Sequence, residues 1–227
     1  IYDKLKKSIL QYAIQGKLVP QNSNDEPASV LLERIRAEKK AQLGKKYVES
    51  YIYKGDDNCY YEHINGKDID ITEEVPFNLP FGWEFVRLGD IITVSSGKNI
   101  TSSEMSKTEQ IYPVYGGNGI TGYYNNYNVD INTIVIGRVG FYCGSIHITQ
   151  CKSWVTDNAL VVNYDDECIL LKYMKHLLKW ADFGKMSSST AQPLVTGKII
   201  KPFIIGVPPL AEQKRIVEKI DEIFVKL

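Results

Sequence analysis

The sequence has little cysteine and little histidine. Its 227 residues include four cysteines and three histidines, with no C-x-x-C pair, so no disulfide framework or zinc ribbon is indicated. Cys143, His147 and Cys151 are evenly spaced, but they lie in a stretch with the pattern of extended chain. Residues four apart in a strand are separated by about 13 Å, too far to share one metal ion unless Gly144 makes a tight turn. We therefore predict no metal site and reduced thiols.

Long apolar runs and an excess of charge are also missing. No stretch approaches the ~20 apolar residues that a membrane span needs, and no signal peptide is visible, so we expect a cytoplasmic protein. The 27 basic residues equal the 27 acidic ones, whereas a protein that binds nucleic acid alone is usually basic. This balance of charge favours nucleic-acid binding that is shared with a partner protein.

Enzyme signatures are absent as well. Gly117–Gly122 matches G-x-G-x-x-G, but the Tyr- and Asn-rich stretch after it does not begin a helix, as a dinucleotide site would require. The pair Pro208-Pro209 lacks the flanking polar and aromatic residues of an adenine methyltransferase motif. Glu38-Lys39-Lys40 has no partner acid for nuclease chemistry. We predict no catalytic residue.

Apolar residues recur with helical spacing at both ends of the chain. The spacing of three and four predicts helices over 2–16 and 210–227, which we expect to pack antiparallel. Both read as parts of longer coiled-coil-like helices. Seven residues of these apolar stripes are predicted to bind partners: Leu5, Ile9, Tyr12, Ile216, Ile220, Ile223 and Leu227.

The interior of the chain mixes helices and strands. A second helix is predicted from Pro27 to Leu43, with Asp25 or Glu26 as its cap, and the stretch 47–63 predicts a hairpin. Later strands alternate with a helix whose first turn is Asp165-Asp166-Glu167. The predicted class is α+β, with a mixed β-sheet and long terminal helices. Four regions follow: 1–46 helical, 47–76 hairpin arm and connector, 77–207 main domain, and 208–227 coiled-coil helix.

Four separated stretches carry a family resemblance: Lys4–Gln11, Leu79–Asp90, Trp154–Ala159 and Pro208–Val217. In this order they resemble the signatures of the specificity (S) subunit of type I restriction–modification systems. The family's usual subunit has two target-recognition domains, whereas this chain has one. The resemblance therefore implies a half-subunit or a fragment, in which 77–207 is the target-recognition domain.

The resemblance also implies a function. The S subunit chooses the DNA sequence, one half of a bipartite site per recognition domain, and docks the methyltransferase (M) subunit. The chemistry belongs to M and to the nuclease-translocase (R) subunit, so S-adenosylmethionine, ATP and Mg are expected in those partners and no cofactor in this chain. The implied partners are double-stranded DNA, M, R, and either a second copy of the chain or the other half of the subunit.

Candidate DNA contacts are chosen here by chemistry and by placement in loops. Asn can read adenine, Tyr can stack or touch phosphate, and cations bind phosphate. The candidates are Lys98, Asn99, Asn118, Tyr123, Tyr124, Arg138, Lys152, Ser188, Thr190 and Gln192. Arg138 has the alternative of a structural salt bridge and Lys152 that of a plain surface charge.

A second function fits the same pattern. The chain would then be an assembly scaffold that binds no DNA and whose β domain binds protein. A continuous exposed apolar patch on the main domain would indicate this alternative.

Overall fold

The structure is a computed structural model that describes residues 2–105, 111–186 and 193–227. Its helices are α1 (Tyr2–Ile14), α2 (Ala28–Leu43), α3 (Leu88–Ile91), α4 (Leu171–Ala181), α5 (Gly197–Ile200) and α6 (Leu210–Lys226). The strands are β1 (Ser50–Lys54), β2 (Tyr60–Ile64), β3 (Lys67–Asp70), β4 (Glu84–Arg87), β5 (Ile92–Ser96), β6 (Tyr112–Gly116), β7 (Gly119–Tyr124), β8 (Ile134–Gly137), β9 (Ile146–Ile148), β10 (Trp154–Val155), β11 (Ala159–Tyr164) and β12 (Ile204–Val207). The predicted mixture of helix and sheet is confirmed.

The chain forms two compact units, and neither is continuous in sequence. The terminal unit contains the chain up to Ile91, together with Asp165–Trp180 and Pro202–Leu227. The strand unit contains Ile92–Tyr164 and Ala181–Lys201. The four regions inferred from the sequence remain predictions, because a division into compact units does not test boundaries that were assigned by sequence pattern.

The terminal unit holds two antiparallel sheets. One has the order β1-β2-β3, and its first pair is the hairpin predicted over 47–63. The other pairs β12 with β4. Ile52, Ile71, Phe85 and Ile204 form a buried apolar cluster in this unit. The two sheets therefore share one core, although their strands lie far apart in sequence.

The terminal helices α1 and α6 lie against each other. Lys6 near the start of α1 lies 5.4 Å from the ring of Phe224 near the end of α6. Gln21, just after α1, donates to Glu212 in the first turn of α6 at 3.1 Å. These two contacts are those of an antiparallel pair. The helices have 13 and 17 residues, so the long coiled-coil-like helices that we expected are not evident in the described residues.

The predicted partner-binding residues on these helices divide by burial. Ile9, Ile216 and Ile220 are buried by the chain's own residues, because the apolar stripes face the core of the terminal unit. The exposed members are Leu5, Tyr12 and Leu227, and Ile223 is half-buried. For these four, partner binding stays a prediction.

Glu212 is a buried carboxylate that joins three segments of the terminal unit. Its two oxygens accept hydrogen bonds from the indole N–H of Trp83 at 3.0 Å and from the amide of Gln21. Burial raises the pKa of this carboxyl, while the two hydrogen bonds act in the opposite direction. Glu212 does lie in the first turn of α6, as expected from the helix dipole, but its side chain also links the helix to Trp83.

Gln213 is the neighbouring buried link. Its carbonyl oxygen accepts from the backbone N–H of Leu170 at 2.9 Å, and its amide donates to the carbonyls of Cys168 and Pro208 at 3.2 Å. One side chain thus satisfies three backbone groups just before α4 and α6. Two residues of the signature Pro208–Val217, Glu212 and Gln213, thus make contacts that serve folding.

Two helix starts were predicted wrongly. The N-cap of α2 is Pro27, with no side-chain cap, because Asp25 instead pairs with Arg215 at 2.6 Å. The acidic run Asp165–Glu167 does not form the first turn of α4, which begins at Leu171. Asp165 accepts from the backbone N–H of Glu167 and forms a turn before the helix.

The strand unit contains the other two sheets. Their orders are β10-β6-β7 and β5-β11-β8-β9. The stretch Thr156–Asn158 turns the chain from β10 into β11, with the N–H of Ala159 donating to the carbonyl of Thr156 at 3.0 Å.

Gly16 gives a direct test of the packing after α1. Its φ is +67°, and a Cβ built there would lie 2.3 Å from Cγ of Pro80. Gly16→Ala should lower the free energy of unfolding by roughly 2 kcal/mol, from left-handed strain plus the clash. Gly66→Ala is the matched control: its φ is +79°, but its Cβ would meet nothing within 4 Å among the described residues. Urea unfolding of both variants checks this, and equal losses would contradict the clash.

Candidate nucleic-acid interface

The hairpin β6–β7 of the strand unit is the structural element on which the candidate interface is built. Gly116 pairs with Gly119, so Gly117 and Asn118 form a two-residue turn that exposes Asn118. Gly119 has φ +86°, which favours glycine, and a Cβ built on it would lie 3.1 Å from the His147 ring. The G-x-G-x-x-G match therefore begins a strand, which agrees with the prediction against dinucleotide binding.

Four aromatic side chains form a line across this hairpin, called here the aromatic row: Tyr127, Tyr112, Tyr124 and Trp154. Tyr112 and Tyr124 are cross-strand partners, so they share one face of the sheet. Tyr127 packs on Tyr112 with centroids 5.0 Å apart, and Trp154 packs on Tyr124 at 5.1 Å. The row offers ring surface of the kind on which bases stack.

A lysine from the list of predicted contacts lies at each end of the aromatic row. The ammonium of Lys152 donates to the Tyr127 hydroxyl at 3.0 Å, and this hydrogen bond raises the pKa of Lys152. At the other end, the indole N–H of Trp154 donates to the backbone carbonyl of Lys98 at 3.1 Å. Lys152 is therefore positioned by an aromatic side chain, although its own side chain is 48% exposed.

A polar cleft of about 460 Å³ adjoins Lys98. Its lining includes Ser95 and Ser96 from β5, Asn128 and Asp130 from the segment after Tyr127, and Asn163 from β11. These side chains offer hydrogen-bond donors and acceptors beside Lys98. Asn128 and Asp130 also follow Tyr127 of the aromatic row closely in sequence. The cleft is thus the polar part of the candidate interface.

Arg138 has a structural role within the strand unit. Its guanidinium donates to the Ser96 hydroxyl and to the backbone carbonyl of Asp157, both at 3.1 Å. Among the residues that the structure describes, Arg138 forms no salt bridge, since both of these acceptors are neutral. Arg138 is still half-exposed, so its remaining N–H groups are available to solvent.

The loop after Arg138 presents the most exposed large ring of the described residues. Phe141 is 89% exposed, and it packs edge-on against Tyr142, which is 53% exposed, at 5.1 Å. The loop is held by backbone hydrogen bonds from Gly140 to Pro193 at 3.1 Å and from Cys143 to Gly140 at 2.9 Å. An ordered loop that exposes phenylalanine is suited to contact with a partner surface.

The predicted contacts are partly brought together. Lys98, Tyr124 and Lys152 lie along the aromatic row, whereas Tyr123 lies on the opposite face of β7 because neighbours in a strand alternate. Asn99 follows Lys98 in an exposed loop. The other three predicted contacts, which lie outside the described residues, are Ser188, Thr190 and Gln192. For all ten candidates, contact with DNA stays a prediction.

Sequence reasoning missed Tyr112, Tyr127, Trp154 and Phe141. The register of the two-residue turn at Gly117 and Asn118 would pair Tyr112 with Tyr123, whereas a register shift between Val114 and Tyr115 pairs Tyr112 with Tyr124 instead. Trp154 had no such signal, because β10 reaches β6 by a long connection and pairs in parallel.

Neither a metal cluster nor a membrane span occurs in the described part of the chain. Within residues 2–105, 111–186 and 193–227, no group of three His, Cys, Asp or Glu could hold a metal ion. In the same ranges, no helix has the length and apolar character needed to cross a membrane. Cys143 is buried, and burial raises the pKa of its thiol.

A mixed α+β fold with an aromatic and cationic surface is typical of a nucleic-acid-binding module. Residues 80–226 match the family described as type I restriction modification DNA specificity domain. This match covers more than half of the chain, and the chain belongs to that family.

Individual relatives agree with this assignment. The chain is 29% identical to the type I restriction enzyme EcoEI specificity subunit of Escherichia coli, over 98% of this chain and 40% of that protein. It is 31% identical to the EcoAI specificity subunit of the same organism, over 97% of this chain and 39% of that protein. The chain thus spans about 40% of the length of these relatives.

Solved structures share the fold. The type I restriction–modification S subunit from M. genitalium superposes with a TM-score of 0.55 at 16% identity, over 98% of this chain and 51% of that one. The HsdS subunit from Thermoanaerobacter tengcongensis gives 0.54 at 16% identity, over 99% of this chain and 46% of that one. At this identity, the likeness is one of fold alone.

Proposed function

We propose that this chain recognises a DNA sequence as a specificity component of a type I restriction–modification complex. The observation that carries the proposal is the family match over residues 80–226. The strand unit supports it, because the aromatic row lies between Lys98 and Lys152 and adjoins a polar cleft. Stacking surface, cations and hydrogen-bonding groups are the three elements that sequence-selective DNA contact needs.

The chain reads one half of a bipartite site. The basis is its length, since it spans about 40% of the two E. coli specificity subunits. The other half-site is read by a second recognition domain, either from another copy of this chain or from the rest of a longer subunit. A methyltransferase subunit docks on the terminal helices, where Leu5, Tyr12 and Leu227 offer exposed apolar side chains.

The chain itself is non-catalytic. This part of the proposal rests on the missing methyltransferase, nuclease and nucleotide motifs and on the names of the relatives, which are specificity subunits. Methyl transfer and cleavage are assigned to the M and R subunits, which bind S-adenosylmethionine, ATP and Mg. The formal charge balance of 27 against 27 residues fits a protein that shares its DNA contacts with such partners.

A gel shift with and without the methyltransferase subunit tests this function against the scaffold alternative. We expect weak binding by the chain alone and a clear shift by the complex on duplexes that carry its target. A scaffold would leave the DNA affinity of the methyltransferase subunit unchanged. Equal shifts with and without this chain would therefore reject DNA recognition in favour of the scaffold.

A further inference from the structure

A second cavity lies among α1, α4 and α6 of the terminal unit, whereas the surface assigned to DNA recognition belongs to the strand unit. Its volume is about 650 Å³, within the range of small-molecule sites. We call it the lysine cavity, because five lysines line it: Lys6, Lys7, Lys172, Lys175 and Lys179. The acidic residues of the lining are Asp3 and Asp221. The lining therefore carries an excess of positive charge in a chain whose formal net charge is zero.

The cations of the lysine cavity are incompletely neutralised. Lys172 pairs with Asp221 at 2.6 Å, and Lys6 lies 4.3 Å from the ring of Tyr2. Lys175 and Lys179 form no ion pair with any carboxylate of the described residues. Burial lowers the pKa of Lys179, and the charges of Lys175 and Lys6 lower it further. The lysines thus repel one another, and a bound anion would relieve this repulsion.

His176 supplies an independent sign that the cavity is built for a ligand. It lines the cavity and is only 7% exposed, yet its Nδ1 atom has no hydrogen-bond partner in the described part of the chain. Buried polar atoms are nearly always hydrogen-bonded, because leaving one unpaired is costly. Burial, followed by the charge of Lys175, lowers the pKa of His176 to about 4, so the ring is neutral near pH 7. In one tautomer, Nδ1–H can donate to an anion.

We propose that the lysine cavity binds a ligand that carries two or more phosphate groups. Phosphates place several charges and many acceptor oxygens in a small volume, and lysine is a common phosphate binder. One carboxylate would neutralise only part of the excess positive charge of the lining. The cavity is also larger than a single phosphate needs, and Leu10 and Phe224 line it with apolar surface on which a sugar or base can rest.

The phosphates have two possible sources, a free nucleoside triphosphate or the backbone of bound DNA. Both present the same chemistry to the lysines, so the experiment separates them. The site lies in the terminal unit, and its existence does not depend on the proposed recognition of a DNA sequence. A failure of either proposal leaves the other standing.

Calorimetric titration of the full chain tests the site directly. Tripolyphosphate, ATP and an acidic peptide of equal charge are titrated at fixed ionic strength. We expect the first two to bind and the peptide to bind at least tenfold more weakly. Lys175→Gln/Lys179→Gln should weaken tripolyphosphate binding by about tenfold or more. Lys4→Gln/Lys214→Gln is the matched control, since both lysines are exposed and neither lines the cavity, and it should stay within about twofold.

A second arm identifies the source. If DNA supplies the phosphates, the cavity variant should also lower the slope of log affinity against log salt concentration for non-specific duplex binding. The decrease should correspond to roughly two released counterions. If the ligand is a free nucleotide, the DNA arm stays unchanged while ATP binding falls. Should the variant fold poorly, a nitrogen-15 NMR spectrum of the unsubstituted chain keeps the test valid. The ring-nitrogen signal of His176 should shift when tripolyphosphate is added. No binding of either polyphosphate together with an unchanged salt slope, or equal binding of the peptide, would overturn the proposal.

Discussion

Phe141→Ala should weaken binding of target DNA by the assembled complex by about tenfold to a hundredfold. The ring is 89% exposed at the tip of a loop that backbone hydrogen bonds hold in place. In the free chain, the exposed ring of Phe141 contributes little to the free energy of folding. Stacking of such a ring on a base contributes about 1–3 kcal/mol to the free energy of DNA binding. The loss should appear as faster dissociation in binding kinetics.

The stability of this variant separates contact from folding. Because Phe141 packs edge-on against Tyr142 and is otherwise exposed, its removal should leave the unfolding midpoint of the chain unchanged. Phe81→Ala is the matched control, since Phe81 is 71% exposed and belongs to the terminal unit. It should leave DNA affinity within about twofold of the unsubstituted chain. Equal losses of DNA affinity in both variants would show that loss of any exposed aromatic ring has this effect. Phe141 would then have no specific place in the interface.

Gln213→Leu should lower the free energy of unfolding by roughly 3 kcal/mol, because three backbone groups, two of them buried, lose their partners. They are the N–H of Leu170 and the carbonyls of Cys168 and Pro208. Leucine has nearly the same size, so packing loss contributes little. Urea unfolding, monitored by tryptophan fluorescence, measures the change.

The neighbouring residue provides the control for Gln213. Lys214→Ala changes an exposed side chain of the same helix and should shift stability by less than about 0.5 kcal/mol. At a temperature where both variants are folded, DNA affinity should equal that of the unsubstituted chain, since this contact serves folding. A stable Gln213→Leu variant that binds DNA poorly would show that the signature residue acts in recognition instead.

Local patterns predicted the helices and strands well where the governing interaction is local. The apolar spacing from Tyr2 to Tyr12 and the glycine at position 16 placed α1 to within two residues of its end. The same reasoning was wrong for Asp25, because its carboxylate pairs with Arg215, 190 residues away in sequence. A cap contributes about 1 kcal/mol, so a partly buried long-range ion pair can override it.

The candidate interface was predictable only in part for the same reason. Lys98, Tyr124 and Lys152 were chosen by chemistry, and the structure places them along one aromatic row. The row itself needs the register of β6 with β7 and the parallel pairing of β10 with β6. Parallel pairing joins distant segments, and no single-sequence pattern encodes it. Glu212 shows the same limit in the core, since its partner Trp83 lies 129 residues away in sequence.

The central claim is that this chain chooses a DNA sequence, and selection from a random duplex pool tests it most directly. The chain is assembled with its methyltransferase subunit, and bound duplexes are sequenced over successive rounds. Recognition by this chain predicts enrichment of one short shared motif, and Phe141→Ala or Tyr124→Ala should weaken that enrichment while Phe81→Ala preserves it. Bound pools with the same base composition at every position as the starting pool, round after round, would contradict it.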